Sequence, residues 1–165
     1  MSNERDARFW IQAWWPVVIM AGLITISSSH SFGADETSGP LRWLWQHLFG
    51  PVSNPRWGFI HFCIRKIGHF VGYGTLGLTW LRAWRLSVPR FRILTDALLA
   101  VTGTALIASC DEIHQAFISN RTGSPWDVLL DCCGAVTMCV LAFGCMRIAR
   151  QMKQSRLAVP LRTGR

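Results

Sequence analysis

Acidic residues are scarce in this chain of 165 residues: nine Asp and Glu stand against seventeen Lys and Arg, and charged side chains of both signs make up only 16%. Half of the residues are hydrophobic. That balance argues against a soluble domain and for a membrane protein. The shortage of acid leaves a formal net charge of +8, a balance that nucleic-acid binders share. Here, however, the basic residues sit in short segments between apolar runs, as membrane topology requires, and nucleic acid is excluded as a partner. No C-x-x-C pair occurs among the six cysteines Cys63, Cys110, Cys132, Cys133, Cys139 and Cys145. They read as small hydrophobes in or beside apolar segments, since a zinc site needs three or four ligands at set spacings. No metal and no cofactor is expected. A signal peptide is not expected either, because the first apolar run is long and no Ala-x-Ala site follows it.

What is present is an apolar chain with nine tryptophans, long enough for one compact domain. The reading is an all-α membrane protein with four transmembrane helices, at about residues 10–29, 66–84, 94–118 and 127–146. A cytoplasmic N-terminus (1–9), a membrane domain (10–148) and a basic, frayed tail (149–165) follow from these limits. The first external loop begins with a turn-forming Ser/Gly/Asp stretch. Leu41–Phe49 then reads as a short helix lying in the membrane interface. With both termini in the cytoplasm, twelve basic residues lie inside and five outside, so the positive-inside rule favours that orientation. Trp80 and Trp84 then belong to the inner aromatic belt, Trp57 and Trp126 to the outer one.

Charges inside these apolar spans carry the functional signal. Lys66, Asp111 and Asp131 stand 15 or 16 residues from Arg82, Asp96 and Arg147, the charged residues at the opposite ends of their spans. At 1.5 Å per residue that is roughly 22–24 Å, against a hydrocarbon core about 30 Å thick. The three groups therefore share one depth under the outer face, and intramembrane charges at a common level point to a shared site. Lys66, His69 and Tyr73 fall on one helical face, which Gly77 continues. Gly68 and Gly72 form a G-x-x-x-G on its flank, a spacing that permits close helix approach. Asp111 and Gln115 are one turn apart with Glu112 beside them, and Arg121 follows in the loop. Asp127 and Asp131 are one turn apart on the last span, with Gly134 next on that face. Formal charge does not balance across this group; a proton shared between carboxylates, or a protonated His69, would restore it.

Plainer readings stand beside the functional one. Asp127 near a helix start interacts with the positive helix end. Arg121 pairs with Asp127 or Asp131, Tyr73 anchors at the interface, Asp96 is a helix-start charge, and the whole set serves as a structural ion-pair network.

The stretch from Arg65 to Gly77 (RKIGHFVGYGTLG) resembles the Lys-x-x-His-Phe-x-x-Tyr-x-x-Leu pattern of the VanZ-like family. Asp111-Glu112-Ile113-His114-Gln115-Ala116-Phe117, then Arg121, Asp127, Asp131 and Gly134, resembles that family's second block, and Ser27-Ser28-Ser29 its serine pair. The resemblance spans about residues 10–146. Many relatives carry Asn where Asp131 stands, so a fixed structural amide is disfavoured here. The resemblance implies a small multi-pass protein of the bacterial cell (inner) membrane. The family's namesake gives resistance to teicoplanin, a glycopeptide with a fatty tail.

Three functions compete on these residues. The first is binding or modification of an amphiphile, such as a lipid-linked envelope intermediate or an acylated glycopeptide, besides the membrane lipids themselves. Its ligand-binding set is Lys66, His69, Tyr73, Asp111, Glu112, Gln115, Arg121, Asp127 and Asp131. Lys66 and Arg121 would meet phosphate or carboxylate, and carboxylates with Gln115 would meet amine or hydroxyl. The second is a membrane enzyme, with Glu112, His69 and Asp111 as catalytic candidates in acid–base chemistry, although no serine or cysteine nucleophile motif accompanies them. The third is a structural or assembly subunit.

Overall fold

The computed structural model describes residues 6–88, 92–118 and 123–158. Among them are five α-helices, one 3-10 turn and no strand: α1 (Ala7–Ser27), the turn His30–Phe32, α2 (Ala34–Phe49), α3 (Asn54–Ser87), α4 (Ile93–Ala116) and α5 (Pro125–Ala158). Three of them are long and apolar enough to cross a membrane, namely α1, α4 and the Pro125–Ser155 part of α5. Their outward faces stay apolar, with Ile11, Val18, Leu98, Leu106 and Val140 all exposed, which is what a lipid solvent permits and water does not. The fourth expected span, α3, is the central element. It is charged near both ends of its apolar stretch, and α1, α2, α4 and α5 all pack on it.

Several limits differ from the sequence reading. α3 starts at Asn54 rather than near 66, because Pro55 sits in its first turn, where a missing N–H costs nothing. The added turns fold against α2. Trp57, expected in an outer lipid belt, is buried and donates from Nε1 to Ser38 Oγ at 2.8 Å, while His61 Nε2 lies 3.1 Å from Thr37 Oγ1. α2 itself begins at Ala34, where a turn-forming stretch was expected. Asp35 and Glu36 in its first turn suit the positive helix end, and Thr37 Oγ1 donates to the Gly33 carbonyl at 2.8 Å. It stops at Gly50, whose φ of 87° only glycine adopts freely. Trp43, Leu44, Leu48 and Phe49 are exposed along it and none of its residues is buried. α5 runs on to Ala158 where a frayed tail was expected, since no Gly or Pro interrupts the sequence from 145 to 159.

Close approach of α3 and α5 uses glycines other than the expected pair. A Cβ added to Gly134 would run into the Phe70 carbonyl oxygen, one on Gly74 would stand 2.8 Å from Met138 Cγ, and one on Gly77 would stand 2.8 Å from Ala135 Cβ. Gly68 and Gly72 have nothing within 4 Å of such a Cβ and make no close helix contact. They border a groove instead.

At the opposite end α1 is fastened to α3 by a backbone defect. Pro16 has no N–H to offer the carbonyl four residues back. Arg82 Nη1 donates to that Gln12 carbonyl at 3.0 Å and to the Ala13 carbonyl at 2.9 Å. Trp14 packs edge-on against Trp80 and Trp84, ring centroids 5.5 and 5.2 Å apart, and donates from Nε1 to Ser87 Oγ at 2.9 Å. Asp96 is more than a helix-start charge: it is only 2% exposed and its Oδ2 lies 3.7 Å from Arg85 Nη1.

Candidate functional site

The close α3–α5 crossing sets the site. With Gly134 against the Phe70 carbonyl, His69 beside that contact on α3 meets Asp131, one turn before Gly134 on α5. His69 Nδ1 lies 3.2 Å from Asp131 Oδ1, and Asp131 is fully buried. One turn outward Lys66 and Asp127 form an ion pair. One turn inward Tyr73 Oη donates to Asp111 Oδ2 of α4 at 2.8 Å. The spacing 66, 69, 73 on α3 thus becomes a ladder of three rungs to two neighbouring helices, each rung joining a donor to a carboxylate.

α4 closes the site from the third side. Gln115 Nε2 donates to the same Asp111 Oδ2 at 2.8 Å and also reaches Ser28 Oγ at the end of α1, at 3.4 Å. Glu112 Oε2 accepts the Ser124 backbone N–H at 2.7 Å, which ties α4 to the start of α5. Within this cluster Glu112 Oε1 and Asp131 Oδ2 are buried with no hydrogen-bond partner among the described residues. Each is a lone-pair position that a proton or a cation would satisfy. One ligand atom each of His69, Glu112 and Asp127 lies within 4.8 Å of the other two, so these three residues could hold a metal ion.

Eight of the nine expected binding residues therefore converge: Lys66, His69, Tyr73, Asp111, Glu112, Gln115, Asp127 and Asp131. Arg121 lies outside the described residues. Tyr73 is 3% exposed and occupied by Asp111, which removes the interfacial-anchor reading. Asp127 meets Lys66 rather than only a helix end.

A groove of about 290 Å³ runs along the α1 side of this cluster. Ile24, Phe32 and Leu41 give it apolar walls, and Ser27, Thr37, Arg65 and His69 give it polar ones. Gly68 and Gly72 keep it open, having no side chain to fill it. Arg65 Nη1 is buried and has no partner among the described residues. Arg65 lies one residue outside the span expected at 66–84 and is not among the expected binding residues. The signal available was its register: residues 65, 68, 69 and 72 fall on one face of α3.

A family model described as VanZ/LLP1 matches residues 13–148, most of the chain, and the protein belongs to that family. No curated protein and no solved structure matches it.

Proposed function

With membership of the VanZ/LLP1 family as the premise, we propose that this protein binds the headgroup of an amphiphile of the bacterial cell envelope, a lipid-linked intermediate or an acylated glycopeptide, in the groove beside the polar cluster. In this reading α1, α3, α4 and α5 cross the cell membrane, both termini are cytoplasmic, and the cluster faces the outer leaflet. One observation carries the proposal: Arg65, in the wall of a groove lined by both apolar and polar side chains, has a buried Nη1 with no partner among the described residues. A guanidinium suits phosphate or carboxylate through paired, charge-assisted hydrogen bonds. Lys66 is already held by Asp127, so Arg65 takes the anion-binding part. At about 290 Å³ the groove has room for one anionic group of such a headgroup, a phosphate or carboxylate with its nearest atoms, and the exposed apolar faces of α1 and α3 suit the tail.

The test is drug susceptibility of a sensitive bacterium expressing the protein at matched membrane levels, with teicoplanin compared against vancomycin, which lacks the fatty tail. Wild type is expected to protect against teicoplanin alone. Loss of a charge-assisted contact costs about 1.5–3 kcal/mol, so Arg65→Ala is expected to weaken binding roughly 10- to 100-fold and abolish protection. Gly72→Leu, which fills open space, is expected to do the same without lowering membrane yield. Equal protection by wild type and both variants would overturn the proposal.

A second reading, a membrane enzyme acting on a lipid-linked substrate, is favoured by the His69–Asp131 pair beside the unpartnered Glu112 Oε1. Asp131 would orient the imidazole and Glu112 would exchange the proton. Glu112→Gln then abolishes turnover and leaves lipid binding measurable. A variant that loses both together at normal yield favours the binding protein.

A further inference from the structure

The polar cluster has the composition of a cation site that the sequence did not suggest. Among the described residues, Asp111, Glu112, Asp127 and Asp131 gather around a single lysine, Lys66. We propose that His69, Glu112 and Asp127 bind a divalent transition-metal ion, with zinc the preferred one.

Three observations carry this independently of any amphiphile. The ligand atoms come from three helices, α3, α4 and α5, and lie within 4.8 Å of one another. Ligand atoms bound tetrahedrally at 2.0–2.1 Å stand roughly 3.3 Å apart, so modest side-chain rotation closes the set. Second, His69 is already oriented as a metal-bound histidine usually is. Its Nδ1 lies 3.2 Å from the buried carboxylate of Asp131; with the proton on Nδ1, the Nε2 lone pair is left for an ion. Third, Glu112 is 5% exposed, with Oε2 fixed by the Ser124 N–H and Oε1 without a partner among the described residues. A buried carboxylate oxygen left bare is costly, and a cation removes that cost.

The donor set selects the ion. One imidazole nitrogen with two carboxylate oxygens is a poor cage for calcium or magnesium, which prefer oxygen alone, and the affinity order places zinc above manganese. Three protein ligands leave a fourth position open, the arrangement of sites that take up a further oxygen ligand. Lys66 acts as the tethered cation of the metal-free site and releases Asp127 when the ion enters. Asp131 is a positioning residue.

The test uses the full chain, purified in detergent micelles and stripped with chelator. Zinc bound per chain is measured at equilibrium, and the absorption of bound Co²⁺ reports ligand geometry. Wild type is expected to bind one ion. His69→Ala and Glu112→Gln are expected to lose it, and Asp131→Asn to weaken it about 10- to 100-fold with the cobalt spectrum retained. Should the ligand variants fold poorly, Lys66→Gln decides: removing the competing cation is expected to tighten binding severalfold, which a purely structural lysine would not do. A double Cys132→Ser, Cys133→Ser variant is expected to bind as wild type does. Absence of stoichiometric zinc in wild type, binding that follows the cysteines, or unchanged affinity in Lys66→Gln would overturn the assignment. Because the readout is the ion alone, failure here leaves the amphiphile proposal standing, and the reverse holds too.

Discussion

Gly134→Ala is expected to destabilise the protein by at least about 3 kcal/mol, at the upper end of overpacking costs, and to remove most folded material from the membrane. Glycine within a helix is worse than alanine by about 1 kcal/mol, so helix propensity alone predicts a gain. The α3–α5 crossing reverses the sign. The new methyl would meet the Phe70 carbonyl oxygen, and backbone on both sides leaves it nowhere to turn. The helices must separate, and the separation pulls His69 from Asp131 and Lys66 from Asp127. The same substitution at Gly68, with nothing within 4 Å, is the control and is expected to raise stability by about 0.5–1 kcal/mol. Unfolding in mixed detergent and denaturant, followed by tryptophan fluorescence, measures both. Equal effects at the two positions would show that the crossing is looser than described.

Asp111→Ala is the second large effect. One oxygen, Oδ2, accepts from both Tyr73 Oη and Gln115 Nε2 at 2.8 Å. Tyr73 and Gln115 are each 3% exposed, so neither has water to fall back on. Orphaning a buried polar group costs about 1–3 kcal/mol; the Tyr73 hydroxyl is orphaned outright, while Gln115 Nε2 keeps only its long contact of 3.4 Å to Ser28 Oγ, which gives roughly 2–4 kcal/mol. Asp111→Asn keeps a carbonyl oxygen in place and is expected to cost less than half as much. Tyr73→Phe in the Asp111→Ala background is expected to recover part of the loss, because one stranded hydroxyl disappears with it. The double-mutant cycle therefore gives a coupling energy well above zero, whereas additive losses would mean that the two side chains are not bonded.

The site was largely legible in the sequence because helical periodicity is a local property. The spacing of Lys66, His69 and Tyr73, of Asp111 and Gln115, and of Asp127 and Asp131 puts each set on one face whatever surrounds it. Which face meets which helix is not local. Gly68 and Gly72 have the spacing of a packing motif, yet the packing belongs to Gly74, Gly77 and Gly134, and the other pair opens a groove. The partners followed the same division: four carboxylates and a lysine were visible, but the rungs Lys66–Asp127 and His69–Asp131 depend on the register of α3 against α5. Helix limits failed where apolar content and helix formation part company. Residues 57–64 of α3 are apolar but are cut off from the expected span by Arg65 and Lys66, and the last turns of α5 are helical without being apolar. Arg65 was missed because a loop was assigned where α3 already runs.

The bond from Arg82 to the Gln12 carbonyl, opposite Pro16, has a meaning in time as well as in space. Donor and acceptor are 70 residues apart, and a ribosome making about 5–20 residues per second needs on the order of 4–14 s to travel between them. For that interval α1 exists with a carbonyl that its own helix cannot satisfy. A lone α1 is thus an unfinished element, held near polar surroundings at that end until α3 arrives with the guanidinium. The residue that completes the first helix lies near the end of α3, so α1 reaches its finished form only once that part of the chain has been made.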